Sequence, residues 1–144
     1  MNWIKESAND LKNLTSRKHA VTSIEKRIKI LEDNIVSLRS ASAETPTQTF
    51  VGGKEENIIN YIAEKEKLSN NLKITKEIVY IIESALLTLT DKQRRILEVF
   101  FIERVQNHID ILCEELNVER STVYRLKDEA LYKFTIAMYG VADL

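Results

Sequence analysis

Residues 109–127 read IDILCEELNVERSTVYRLK. Two short helical patterns meet in this stretch at Asn117-Val118. Helices that cross closely need apolar residues where they face each other, a small residue at the crossing, and a turn residue that tolerates a left-handed backbone. Leu112 and Leu116 supply the first face and Cys113 the small residue. Asn117 takes the turn, because Asn accepts positive φ better than any residue except Gly. Val118 plugs the turn, and Val123 and Leu126 face back from the second helix. The spacing predicts a helix-turn-helix, its first helix at 109–116 and its second running from about Arg120 to Met138.

A second helix of this kind is the element that enters a DNA major groove. Its outward residues near the start are Arg120, Ser121, Thr122, Tyr124 and Arg125, with Lys127 one turn on. Arg forks to a guanine edge, Ser and Thr bind base edges or phosphates, and Lys suits phosphate. Tyr124 contacts a thymine methyl or a sugar, or else is the edge of a partly buried ring. Glu119 either caps the helix or reads a cytosine. Asp128 and Glu129 are expected on the solvent side. Upstream, Thr90-Asp91-Lys92-Gln93 is a capping box that opens another helix, through Ile96, Leu97, Val99, Phe100, Phe101 and Ile102. On it, Lys92, Arg94 and Arg95 can reach the flanking DNA backbone, and residues 104–107 form a connector.

The first part of the chain has a different period. Val21, Ile24, Ile28, Leu31, Ile35 and Leu38 alternate at spacings of three and four, the seam of a coiled coil or helical hairpin. Leu11 and Leu14 extend that stripe upstream, Trp3 packs at its end, and the helix ends near Ser40. Residues 40–53, SASAETPTQTFVGG, hold the one Pro and two of the three Gly, and read as a linker; Phe50 and Val51 are its only candidate anchor. A second long helix runs from about Glu55 to Leu87, its mixed-charge run AEKEK strongly helix-forming. Two such helices joined by one short loop fold back on each other. One wide apolar face is seldom covered within a single hairpin, so a homodimer is expected.

The predicted fold class is therefore all-α. A long N-terminal antiparallel helical hairpin, coiled-coil-like, occupies residues 1–85 with its linker at 40–53, and a small C-terminal helix-turn-helix domain occupies 86–144. Three Gly and one Pro in 144 residues leave few positions for the tight turns of a many-stranded sheet. Hydrophobic content of 44% beside 30% charged residues argues for a folded chain rather than a disordered one. No stretch approaches the roughly 18 apolar residues that span a bilayer, and the charged N-terminus lacks a signal peptide's apolar centre, so no membrane partner and a cytoplasmic location are expected.

Composition also limits the chemistry. A single cysteine cannot form an internal disulfide. His19, His108, Asp110 and Cys113 lack the paired spacings of a zinc site, and no phosphate loop, nucleophile elbow or HExxH is present. No metal, no cofactor, no catalytic residue and no enzyme activity are expected. The net charge is −1. Residues 1–40 hold 8 Lys/Arg against 5 Asp/Glu, whereas residues 86–144 hold 8 against 10. The part expected to meet DNA is thus slightly acidic, and binding must rest on where its charges stand rather than on their sum.

The stretch LTLTDKQRRILEVFFIERVQNHIDILCEELNVERSTVYRLKDEALYKF resembles sigma-70 region 4, a promoter-binding domain of sigma factors, over about residues 86–138. It carries Asn117 where that domain usually has Gly. With the long N-terminal hairpin, the Pro/Gly linker and the ending ALYKFTIAMYG, most of the chain resembles phage late-gene transcriptional regulators of the ArpU/RinA type. The resemblance implies a regulator, an activator of phage or prophage late genes in a bacterial host cell. It implies promoter or operator DNA as partner, RNA polymerase as a further one, and base reading by Arg120, Ser121, Thr122, Tyr124 and Arg125. The first 85 residues lack the basic, aromatic-rich segment of a promoter-melting region, which argues against a complete sigma factor. A phage small terminase-like DNA-packaging subunit, or a sigma-like factor or protein-interaction module, are the alternative readings.

Overall fold

The computed structural model describes residues 1–44 and 51–142. Among these the chain is helical, with no strand. Helix α1 spans Trp3–Glu44, α2 Val51–Leu87, α3 Asp91–Leu97, α4 His108–Leu116 and α5 Arg120–Tyr139; a π-helical turn, Glu98–Glu103, follows α3 directly. The linker expected at 40–53 is shorter than its composition implies, because 40–44 continue α1 and 51–53 begin α2. Ala41, Ala43 and Glu44 are strong helix formers, so α1 propagates through them. The two glycines fall in the first turn of α2, whose N–H groups have no intrahelical partner to lose. Pro46 and Phe50 lie outside the described residues.

Packing groups the chain into two compact units, residues 1–17 with 78–144, and residues 18–77. This grouping differs from a division after residue 85, since the start of α1 belongs with the C-terminal helices. In the 18–77 unit the α1 stripe is the covered face. Leu31 and Ile35 are buried, while Val21, Ile24, Ile28 and Leu38 are half-buried. Ion pairs tie α1 to α2 beside it: Arg27–Glu64 at 3.2 Å, Glu32–Lys65 at 3.2 Å and Glu25–Lys76 at 3.0 Å. All three are solvated, so each contributes at most about 1 kcal/mol and serves register more than stability. Ile30, Val36, Ile59, Ile62 and Ile74 remain exposed in this unit.

The other unit holds the larger core. Leu11 and Leu14 from α1, Ile82, Ala85 and Leu86 from α2, and Leu97 from α3 close around Ala130, Leu131 and Phe134 of α5. Phe134 is fully buried. The π-helical turn separates this core from a smaller one. Leu97, Phe101 and Ile102 point to the first, whereas Ile96, Val99 and Phe100 point to the second. Six apolar residues among seven positions, interrupted by Glu98, cannot all be buried on one α-helical face, and the extra residue of a π turn distributes them over two.

Polar contacts fasten α1 to the C-terminal helices at both ends of this core. The ring of Trp3 lies 4.9 Å from that of Tyr139. The Tyr139 hydroxyl donates to Asp10, whose carboxylate also accepts from Arg17 at 3.3 Å. Arg104, left-handed at φ 50°, donates to the Lys12 carbonyl at 3.2 Å. Helix α5 ends at Gly140, whose φ of 76° suits glycine and whose N–H returns to the Ile136 carbonyl at 2.8 Å. The buried Ser7 hydroxyl has no hydrogen-bond partner.

Two stability measurements follow from this core. By chemical denaturation, Phe134→Ala should cost about 3–5 kcal/mol, the range for emptying a buried aromatic site. Ser7→Ala should be neutral or stabilising by about 1 kcal/mol, since it removes a desolvated hydroxyl that bonds to nothing; a loss of stability would show that this hydroxyl is satisfied in solution. The third expectation concerns pH. Burial, then the hydrogen bond to Asp10, push the Tyr139 phenol from 10.0 up to about 12. A raised phenol favours its protonated form in the folded state, so its contribution is complete below pH 10 and disappears as pH rises toward 12. Tyr139→Phe should flatten the fall in stability over that window.

Candidate nucleic-acid interface

The segment from α3 to α5 is assembled from the backbone outward. Thr90 caps α3: its hydroxyl accepts from the Gln93 N–H at 3.2 Å, and the Gln93 side chain accepts from the Thr90 N–H at 3.1 Å. The capping box thus forms as its residue types require. Helix α4 ends at Asn117, with φ 54° and ψ 51°. The N–H groups of Asn117 and Val118 both turn back to the Cys113 carbonyl, which would otherwise be left open at the helix end. Glu119 is extended, at φ −80° and ψ 162°, and α5 begins at the next residue.

The residues picked out around this turn come together in the smaller core. Leu112 and Val123 are fully buried, and Cys113, Leu116, Val118 and Leu126 pack against them. Helix α5 therefore has its first turns fixed against α4. Its inward positions include Val123, with Thr122 and Leu126 half-buried. Arg120, Ser121, Tyr124 and Arg125 are exposed together on the opposite side. Five of the six positions expected on α5 thus separate into four that face solvent and one, Thr122, that turns inward.

Lys127 behaves differently again. Its side chain is 22% exposed, its ammonium group sits 2.7 Å from Asp128, and it lies 5.8 Å above the centre of the Phe100 ring. Phe100 also meets His108 and Tyr124 edge-on, with centroids 4.8 and 6.1 Å away. These rings form a half-exposed aromatic ledge beside the start of α5.

Two of the three basic residues on α3, Arg94 and Arg95, have internal partners. Arg94 donates to the Leu86 and Leu89 carbonyls, each at 3.1 Å, and so covers the open end of α2. Arg95 makes a two-pronged contact with Glu115, at 3.1 and 2.9 Å, and its remaining nitrogen reaches Glu103 at 3.2 Å. Hydrogen bonding to Arg95 holds the Glu115 carboxyl below its ordinary value. Both guanidinium groups join helices to one another. Lys92 is exposed.

The exposed arginines of α5 also have carboxylate partners: Arg120 with Asp110 at 3.0 Å and Arg125 with Glu129 at 2.9 Å. Charge on this face is locally neutral. Solvated pairs of this kind are worth at most about 1 kcal/mol, less than an Arg gains from a guanine edge, so they do not prevent either arginine from binding a nucleic acid. Glu119 makes no side-chain bond to the helix start. The sequence points to Asp110 and Phe100 only as a rejected metal ligand and an apolar helix residue; their place beside α5 is not legible there, for Asp110 because its partner is ten residues away and across a turn. Among the described residues no group of three or more His, Cys, Asp or Glu is placed to hold a metal ion, and no helix is long and apolar enough to cross a membrane. Comparison with protein-family models, with curated proteins and with solved structures finds no match to this chain.

The turn itself can be tested. Asn117→Gly should leave stability unchanged or raise it by up to about 1 kcal/mol, and Asn117→Val should lower it by about 1–2 kcal/mol, because a β-branched residue resists positive φ. Thermal denaturation of the two variants reads the difference. Equal melting temperatures would mean that the turn does not keep φ 54° in solution.

Proposed function

We propose that the chain is a sequence-specific double-stranded DNA-binding regulator that presents α5 to a major groove as a helix-turn-helix. The observation that carries this reading is the way α5 is fixed. Val118, Val123 and Leu126 anchor its start against α4, and the left-handed Asn117 sets the angle, while Arg120, Ser121, Tyr124 and Arg125 are left outward together. Side chains on one rigid helix face, two of them forked donors, are what base-edge recognition needs. The resemblance to sigma-70 region 4 and to phage late-gene regulators supports transcription as the setting, with activation of late genes and contact with RNA polymerase as its finer content.

In this reading the long helices form a hairpin that dimerises. The exposed Ile59, Ile62 and Ile74 of α2 and Ile30 and Val36 of α1 support that part. A dimer pairs two copies of α5 on a two-fold site and offsets the weak charge of each. Because the cations of α5 stand beside carboxylates that keep the local charge near neutral, binding should weaken with salt less steeply than for proteins with 6–10 uncompensated phosphate contacts.

Fluorescence anisotropy tests the proposal, using duplexes recovered by selection from a random library and shuffled controls at two salt concentrations. Arg120→Ala and Arg125→Ala should each cost roughly 1–3 kcal/mol of specific binding. Sedimentation should show a dimer, whereas a large ring would favour a packaging subunit. No selected sequence, or no loss at either arginine, would sink the groove-reading model.

A further inference from the structure

We infer that Asp110 is a positioning residue for base recognition, holding the Arg120 guanidinium in the orientation in which it reads DNA; this rests on the function proposed above. Arg120 is the first residue of α5, the positive end of the helix dipole, where a cation is disfavoured. Within α5 the first turn contains no acidic residue, and Glu119 just before it makes no side-chain bond to the helix start. Compensation comes instead from across the turn. The Asp110 carboxylate, in the first turn of α4, accepts from Arg120 Nη1 at 3.0 Å.

That single bond is selective. It engages Nη1 and leaves the Nε and Nη2 donors of Arg120 without a partner among the described residues, which is the pair of donors a guanine O6/N7 edge accepts. A long side chain loses rotamer freedom when it binds, and a carboxylate that already fixes its head group lowers that loss. The same carboxylate has a second effect: one negative charge beside the groove-facing helix repels phosphate on every sequence alike. Asp110 thus favours the matched base while weakening binding to all sequences equally, so only the first effect enters the ratio of affinities. Both side chains are about two-thirds exposed, 67% for Asp110 and 64% for Arg120, so neither is needed to fill the core.

The decisive quantity is the ratio of affinities for a selected duplex and its shuffled counterpart, measured on the full chain. Asp110→Asn, and independently Asp110→Ser, should tighten binding to the shuffled duplex while lowering the ratio by roughly five- to tenfold, within the range one bidentate base contact supplies. In an Arg120→Ala background, Asp110→Asn should no longer change the ratio, because the two residues act through one contact. A ratio that stays constant in both Asp110 variants of a chain that does prefer the selected duplex would overturn the positioning role and leave the proposed function standing. If the unsubstituted chain prefers no duplex at all, both fall together.

Discussion

Phe134 is where the architecture is held. Its ring, inaccessible to solvent, is enclosed by apolar side chains from α1, α2, α3 and its own helix. Hydrophobic burial has no direction, so such a core by itself would permit many arrangements of five helices. Direction comes from the polar contacts around it. Asp10 accepts from Tyr139 on one side, Arg104 donates to Lys12 on another, and Arg94 covers the end of α2. Phe134 and Leu131 fix the later turns of α5, and the smaller core around Leu112 and Val123 sets how its first turns present side chains outward.

Two kinds of information in the sequence translate directly into this structure. Residues that act on their own backbone are the first kind. Thr90 and Gln93 form the capping box, and Asn117 adopts the left-handed turn, because both depend only on neighbours three or four positions away. Periodic apolar residues are the second: Leu31 and Ile35 are covered as the α1 stripe requires, and Leu112, Val123 and Leu126 meet as their spacing implies. Composition misleads at residues 40–44 and 51–53, where helix propagation outweighs small and polar residues.

What escapes such reading is long side chains and distant partners. Arg94 and Arg95 look like free cations beside a helix, yet their donors reach a carbonyl eight residues back and a carboxylate twenty residues on. Only tertiary structure brings those acceptors within range, and no local rule announces them. For the candidate site, the exposed set Arg120, Ser121, Tyr124 and Arg125 is legible from helical phase alone. The carboxylates that accompany the two arginines are not, and nor is the inward turn of Lys127 over Phe100. The π-helical turn is equally hidden, because a run of apolar residues specifies burial but not the number of residues per turn.

The packing of Leu11 and Leu14 against Phe134 has a bearing on how the chain acquires its structure. These contacts join residues that emerge early in synthesis, Leu11 and Leu14, with Phe134, which emerges much later. The long helices can form locally as they appear, but the apolar start of α1 has only the partial cover of α2 until α5 arrives. Closing a loop of that length carries an entropic penalty before any burial repays it, which makes this core a late and slow event. During that interval the exposed leucines are open to association with other chains or to holding by chaperones. A fragment beginning at residue 86 would meet the same difficulty permanently, keeping α4 and α5 while lacking the α1 and α2 surfaces on which Phe134 rests.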